Sequence, residues 1–185
     1  MALLPIVQVP EPVLRQKTKK IKKIDASIQK LIDDMVETMY DAPGVGLAAN
    51  QVGVSLRLCV IDAPDSGPGL VVLINPEIVR RSGARECDEG CLSLPGYKGT
   101  IQRSEKVVVK ALNRDGRPVR YHATGLFAEA IEHEVDHLNG LLYFDYLDSI
   151  DKLVPYARPE DAPRAGGEDD DDGEAPAEEV AATGS

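Results

Sequence analysis

No run of apolar residues in this 185-residue chain is long enough to cross a membrane. The apolar opening, Ala2 to Val9, is interrupted by Pro5 and Pro10 and is too short for a secretory signal, so a cytoplasmic protein is expected. Three cysteines form no even disulfide framework, which favours a reducing compartment. Internal repeats are absent, and of the three histidines none follows position 137. At 43% hydrophobic content the chain can still bury one sizeable core.

The formal net charge of −10 is unevenly spread. From Pro159 to Ser185 there are ten acids and one base, whereas residues 1–158 are close to neutral. The terminal stretch carries Asp169 to Asp172 among Gly, Pro and Ala and lacks the apolar residues that would offset the entropy of ordering. One domain over 1–158 and a disordered acidic tail over 159–185 are expected, the tail as a solubilising terminus.

What is present is His133-Glu134-Val135-Asp136-His137. Leu126, Phe127, Ala130, Ile131, Val135 and Leu138 recur at helical spacing between Thr124-Gly125 and Asn139-Gly140, predicting a helix from about 125 to 138. On a helix the two histidines lie one turn apart on one face, with Glu134 beside that face. Histidines so spaced also occur on helices that hold nothing. Here the carboxylate between them suits metal-assisted hydrolysis, acting on a water without ligating the metal.

Such a site takes three protein ligands and leaves a position open. Downstream, Asp145, Asp148 and Asp151 follow a turn and read as solvated. Upstream lies Glu89-Gly90-Cys91-Leu92-Ser93-Leu94-Pro95-Gly96, a cysteine among glycines that permit close backbone approach. Cys59, inside Leu56 to Ile61, reads as a small apolar residue. Cys87 can compete, but Asp88 and Glu89 beside it suggest an exposed turn, which favours Cys91.

A third segment, Gly44-Val45-Gly46-Leu47-Ala48-Ala49-Asn50-Gln51-Val52-Gly53, follows a helix expected over Ile28 to Met39. Its small residues allow a backbone to run beside a peptide like an added strand, and Gln51 offers a neutral amide donor to an oxyanion. Alone, the segment reads more readily as a tight loop before a strand.

Taken together, Gly44 to Gln51, Glu89 to Ser93 and His133 to His137 resemble, in content and order, the three signature motifs of the peptide deformylases. The similarity runs from Ile6-Val7-Gln8-Val9-Pro10 to about Asp148, through Ile74-Asn75-Pro76 and His137-Leu138-Asn139-Gly140, roughly four-fifths of the chain. The resemblance implies removal of the formyl group from N-formyl-methionyl nascent peptides, with release of formate. It implies Cys91, His133 and His137 as metal ligands and Glu134 as general base and then acid. Gln51 and the Leu92 N–H would stabilise the oxyanion, and Val45, Gly46, Gly90 and Leu126 would bind substrate. The implied ion is Fe2+, with Zn2+, Ni2+ or Co2+ as substitutes. A monomer with no DNA or membrane partner is expected. An internal-bond metalloprotease and a noncatalytic metal-binding module are the competing classes; the upstream cysteine argues against the first, Glu134 with Gln51 against the second.

Glu132 departs from the family's usual glutamine and is expected to be solvated. Asp136 can pair with Arg103 in a structural ion pair or orient a metal ligand, and His122 is expected on the surface or partly packed. Lys17, Lys19, Lys20, Lys22 and Lys23 form a basic run compatible with transient ribosome contact through phosphate electrostatics. Some relatives carry a C-terminal helix suited to ribosome docking; Pro155, Pro159 and Pro163 interrupt this chain there. Strands are expected at Leu56 to Ile61, Leu70 to Ile74, Lys106 to Leu112 and Pro118 to His122, with a hairpin turn at Asn113-Arg114-Asp115-Gly116. Without regular βαβ alternation the class is α+β. The resemblance adds antiparallel or mixed sheets packed around a central HExxH helix, with an N-terminal helix.

Overall fold

The computed structural model describes residues 2–157; the acidic tail expected over 159–185 lies outside them. Helix α1 (Ala26–Asp41) begins where the Asp25 carboxylate accepts the Ser27 and Ile28 backbone N–H groups at 3.0 and 3.3 Å. Its buried stripe is Ile28, Ile32, Met35 and Met39, spaced as one helical face requires. Strands β1 (Gly46–Ala48), β2 (Leu58–Ile61), β3 (Val71–Ser82), β4 (Arg85–Cys91), β5 (Leu94–Arg103), β6 (Lys106–Leu112) and β7 (Pro118–Thr124) precede helix α2 (Gly125–Leu138), and a short β8 (Val154–Pro155) follows.

The strands form two sheets, ordered β1-β2-β3-β6-β7 and β4-β5-β8, and every pairing between them is antiparallel. Alternation along β2 explains how the larger sheet is covered on both faces. Leu58 and Val60 join the α1 cluster with Val72 and Ile74, while Cys59 and Ile61 join the α2 cluster with Leu73, Val107, Val109, Ile131 and Val135. Helix α2 thus has one side on the larger sheet and meets the smaller sheet through polar contacts on the other.

The α+β class, both helices and the 113–116 turn are as expected: Asn113 and Gly116 N–H groups bond the Arg117 and Asn113 carbonyls, both at 2.9 Å. The strand expected to stop at Ile74 instead continues to Ser82. It passes Pro76 through a register shift, with Asn75 in the left-handed region at φ 54°. There the Asn75 side chain accepts from Ile21 N–H and donates to Ile21 C=O, both at 2.8 Å, which holds the bend. The β4–β5 hairpin carries the cysteine motif, and its Asp, Glu, Gly and Pro residues dilute its strand-like composition.

Candidate active site

Three elements bring the expected residues together. Helix α2 presents His133, Glu134 and His137; the end of β4 presents Cys91; and the turn after β1 presents Gln51. Cys91 Sγ lies 3.2 Å from His137 Nε2, which lies 3.2 Å from His133 Nε2. One donor atom from each of the three falls within 4.8 Å of the others. Two imidazole nitrogens and a sulfur converging on one point form a donor set suited to a tetrahedral transition-metal site with an open position, so these residues fit such an ion.

Both histidines are anchored by neighbours, His133 through its ring and His137 through its backbone. His133 Nδ1 is 2.8 Å from Glu89 Oε2, which fixes the ring with Nε2 toward the centre. The Arg103 guanidinium grips Glu89 with two bonds of 2.6 and 2.9 Å and Asp136 with a third of 2.6 Å. Burial opposes ionisation of Glu89, but Arg103 and His133 outweigh it and hold the carboxyl down at about 2. Asn50 Nδ2 donates to the His137 carbonyl at 2.6 Å, tying the turn after β1 to the helix.

Gln51 is locked as an amide donor: Ala48 N–H donates to its Oε1 at 2.9 Å, which leaves Nε2 directed at Ser93 Oγ (3.2 Å) and Cys91 Sγ (3.6 Å). Glu134 is 3% exposed, and its Oε2 has no hydrogen-bond partner among the described residues. Burial pushes its carboxyl up to about 7, so it can exchange a proton near neutral pH. Gly46 leaves room for it, because a Cβ there would overlap Glu134 Oε1 and displace the carboxylate.

A cleft of about 240 Å³ opens onto this group, lined by Val45, Gly46, Gln51, Gly90, Cys91, Leu92, His133 and Glu134 among others. Along one wall runs β1, an edge strand whose only sheet neighbour among the described residues is β2. Asp62 N–H bonds Val45 C=O at 2.9 Å, so antiparallel alternation turns the Gly46 N–H and C=O away from β2 toward the open edge.

Leu126 is not on the cleft wall. It lies two turns from His133, roughly 10 Å along the helix, and packs half-buried against the α2 core. Four further expectations about single residues are corrected or kept. Glu132 is buried, not solvated: Arg81 Nε reaches its Oε1 at 2.8 Å, and Ser104 N–H and Oγ donate at 2.8 and 3.0 Å. These partners face it away from the ligand cluster. Cys87 is buried within β4 instead of lying in an exposed turn, and burial with the neighbouring Glu129 pushes its thiol up to about 12. Asp136 does pair with Arg103, and His122 is exposed on β7. Sequence reasoning assigned no role to Glu89, although it stands two residues before Cys91. Asn50 and Ser93 stood within the quoted motifs without an assigned role, and Tyr97 and Tyr156 carried no signal.

The arrangement is that of a metallohydrolase: three soft or borderline donor atoms that could hold an ion, a buried carboxylate with a near-neutral pKa, and an amide donor around one cleft. Comparison with known proteins agrees. The family described as polypeptide deformylase matches residues 3–153. A peptide deformylase of Dehalococcoides mccartyi (strain CBDB1) is 56% identical over 153 residues, 83% of this chain and 91% of the relative. One from Syntrophobacter fumaroxidans is 51% identical over 156 residues, covering 83% and 92%. Among solved structures, a peptide deformylase from Legionella pneumophila superposes with TM-score 0.78 at 50% identity, covering 82% of this chain and 89% of that one. One from Synechococcus elongatus in complex with actinonin gives 0.76 at 43% identity, covering 80% and 81%. The chain belongs to the peptide deformylase family. It is a metal-dependent hydrolase that removes the formyl group from the N-terminal formyl-methionine of newly made polypeptides.

Proposed function

We propose that Cys91, His133 and His137 hold one divalent ion, with Glu134 as general base and acid and with Gln51 and the Leu92 N–H as oxyanion donors. The observation that carries the reading is the buried Glu134 carboxyl, unpartnered at Oε2 and pushed up to about 7, on the same cleft as the three converging ligands. Ferrous iron is the ion, and zinc, nickel or cobalt would substitute, since a Cys/His/His set accepts each of them. When bound, the ion supplies a Lewis acid that makes hydroxide available near neutral pH.

The chain does the rest. Glu134 takes the proton from the attacking water and passes it to the departing amine nitrogen, so one carboxyl serves both steps. As the formyl carbon becomes tetrahedral, negative charge develops on its oxygen. Gln51 Nε2, already oriented by the Ala48 N–H, and the Leu92 N–H supply donors there without further reorganisation. The peptide lies along the open edge of β1 as an added strand, held by Val45 and Gly46 on one side and Gly90 of β4 on the other. Leu92, Leu94 and Pro95 give that cleft an apolar wall for the methionine side chain.

The protein works as a cytoplasmic monomer on formyl-methionyl nascent peptides. The lysines at 17, 19, 20, 22 and 23 are all exposed, which supports transient contact with ribosomal phosphates. Anaerobic assay of iron-loaded protein with formyl-methionyl and acetyl-methionyl peptides, following formate, tests the reading. Turnover of the formylated peptide alone is expected. Loss of that turnover in Glu134→Ala with retained metal would assign the proton role; full activity in that variant would remove it.

A further inference from the structure

Helix α1 covers only part of the sheet face on which it packs. Its cluster takes in Val72 and Ile74 of β3 and reaches Leu112 at the end of β6. Beyond the Asn75 bend the same face continues in three cross-strand rows: Ser82, Lys106 and Thr124; Arg80, Val108 and His122; Glu77, Lys110 and Arg120. Every residue in these rows is exposed except Val108, which floors a groove of about 340 Å³ walled by Arg80, Ser82, Lys106, Arg120 and His122. Arg80, Lys106, Lys110 and Arg120 make no ion pair among the described residues, although Glu77 stands opposite Lys110. Lys110 and Arg120 face each other directly across β6 and β7, a like-charge pair that costs stability until an anion neutralises it. The lysine run adjoins this face. Ile21 and Ile24 pack in the α1 cluster on the same side of the sheet, Ile21 tied to Asn75 and Ile24 lying against Gly116 of the β6–β7 hairpin. Lys22 and Lys23, between those two anchors, and the exposed Arg117 of the hairpin therefore lead from the run toward Lys110 and Arg120.

We propose that this open face of β3, β6 and β7 is a docking surface for RNA, held by its phosphate backbone along a track that runs on to the lysines. Guanidinium, ammonium and hydroxyl groups all donate to phosphate oxygens, and Arg80, Arg120, Lys106, Ser82 and Thr124 supply the three kinds. Alternate residues on a strand stand about 6.7 Å apart and neighbouring strands about 4.8 Å apart, so the cations form a strip. A strip suits a chain of phosphates, where a small anion would need its donors gathered at one point. The three rows hold no aromatic ring on which bases could stack, so the contact is to the backbone and independent of base sequence. RNA is favoured over other polyanions because the substrate is a newly made polypeptide, met where ribosomal RNA is exposed. The inference extends the ribosomal contact proposed for the lysines and does not depend on the chemistry of the cleft.

The test is fluorescence anisotropy of a labelled RNA hairpin titrated with the full chain over about 50 to 200 mM salt. The face variant combines Arg80→Gln, Lys106→Gln and Arg120→Gln; the run variant combines Lys19→Gln, Lys20→Gln, Lys22→Gln and Lys23→Gln. The face variant is expected to bind about tenfold or more weakly than the wild type, with a log–log salt slope shallower by about 3. The charge-preserving set Arg80→Lys, Lys106→Arg and Arg120→Lys should bind as the wild type does, and deformylation of a formyl-methionyl peptide should be unchanged in both sets. Loss of binding in the run variant but not in the face variant leaves the lysine contact standing and overturns the sheet face. An equal loss in the charge-preserving set, or no binding by the wild type at the lowest salt, overturns it as well. Displacement of the RNA by a synthetic peptide of residues 159–185 at equal charge concentration would assign the face to an acidic polypeptide and overturn the RNA reading.

Discussion

Replacing Glu89 with glutamine separates the carboxylate's charge from its shape. Glu89 is 3% exposed and accepts two bonds from Arg103, and its second oxygen lies 2.8 Å from His133 Nδ1. Its carboxyl is held at about 2 against an ordinary 4.5. A depression of that size is worth about 3 kcal/mol of folding free energy. Because the folded pKa is lowered, this stabilisation is complete above pH 4.5 and is lost as pH falls from there through 2. Urea denaturation of metal-free wild type and Glu89→Gln should therefore differ by up to about 3 kcal/mol at pH 6, with the gap closing on acidification below about 4.5. In parallel, metal affinity should drop about 10- to 100-fold, because the amide orients His133 less firmly. A stability gap that stays flat with pH, or is under about 1 kcal/mol at pH 6, would refute the reasoning.

Other perturbations follow from the same geometry. Gly46→Ala places a methyl on the Glu134 carboxylate and should lower kcat at least tenfold while costing about 1–3 kcal/mol of stability, measured by assay and by thermal unfolding. Glu132→Gln weakens the bonds to Arg81 and Ser104 and should cost about 1–2 kcal/mol by chemical denaturation, with kcat within about twofold of the wild type since those partners face away from the ligands. Iodoacetamide on folded, metal-free protein should alkylate Cys91 and spare the buried Cys59 and Cys87, as peptide mass spectrometry would read; equal labelling of all three would contradict the burial described.

The local signals were strong wherever one element carries them. Helix α2 was legible to its ends because its apolar period and the Asn139-Gly140 stop lie within one segment. Cys59 was legible as core for the same reason. Glu132 and Cys87 were misread because their partners, Arg81, Ser104 and Glu129, are distant in sequence, and acidic neighbours alone suggest solvent. Strands β4 and β5 escaped notice because Asp, Glu, Gly and Pro dilute their strand propensity, and pairing along Arg85↔Arg103 to Gly90↔Lys98 overrides it.

By itself the sequence determined the ligand types, the helical spacing of His133 and His137, the carboxylate between them and the order of the three motifs, since each is a property of a few consecutive residues. Tertiary structure brings Cys91, already favoured over Cys87, to the histidines, and it alone decided that Arg103 and Glu89 stand behind His133 and that Tyr156 reaches the cleft. Those contacts join residues tens of positions apart, where burial and cross-strand register, not local propensity, set which groups touch.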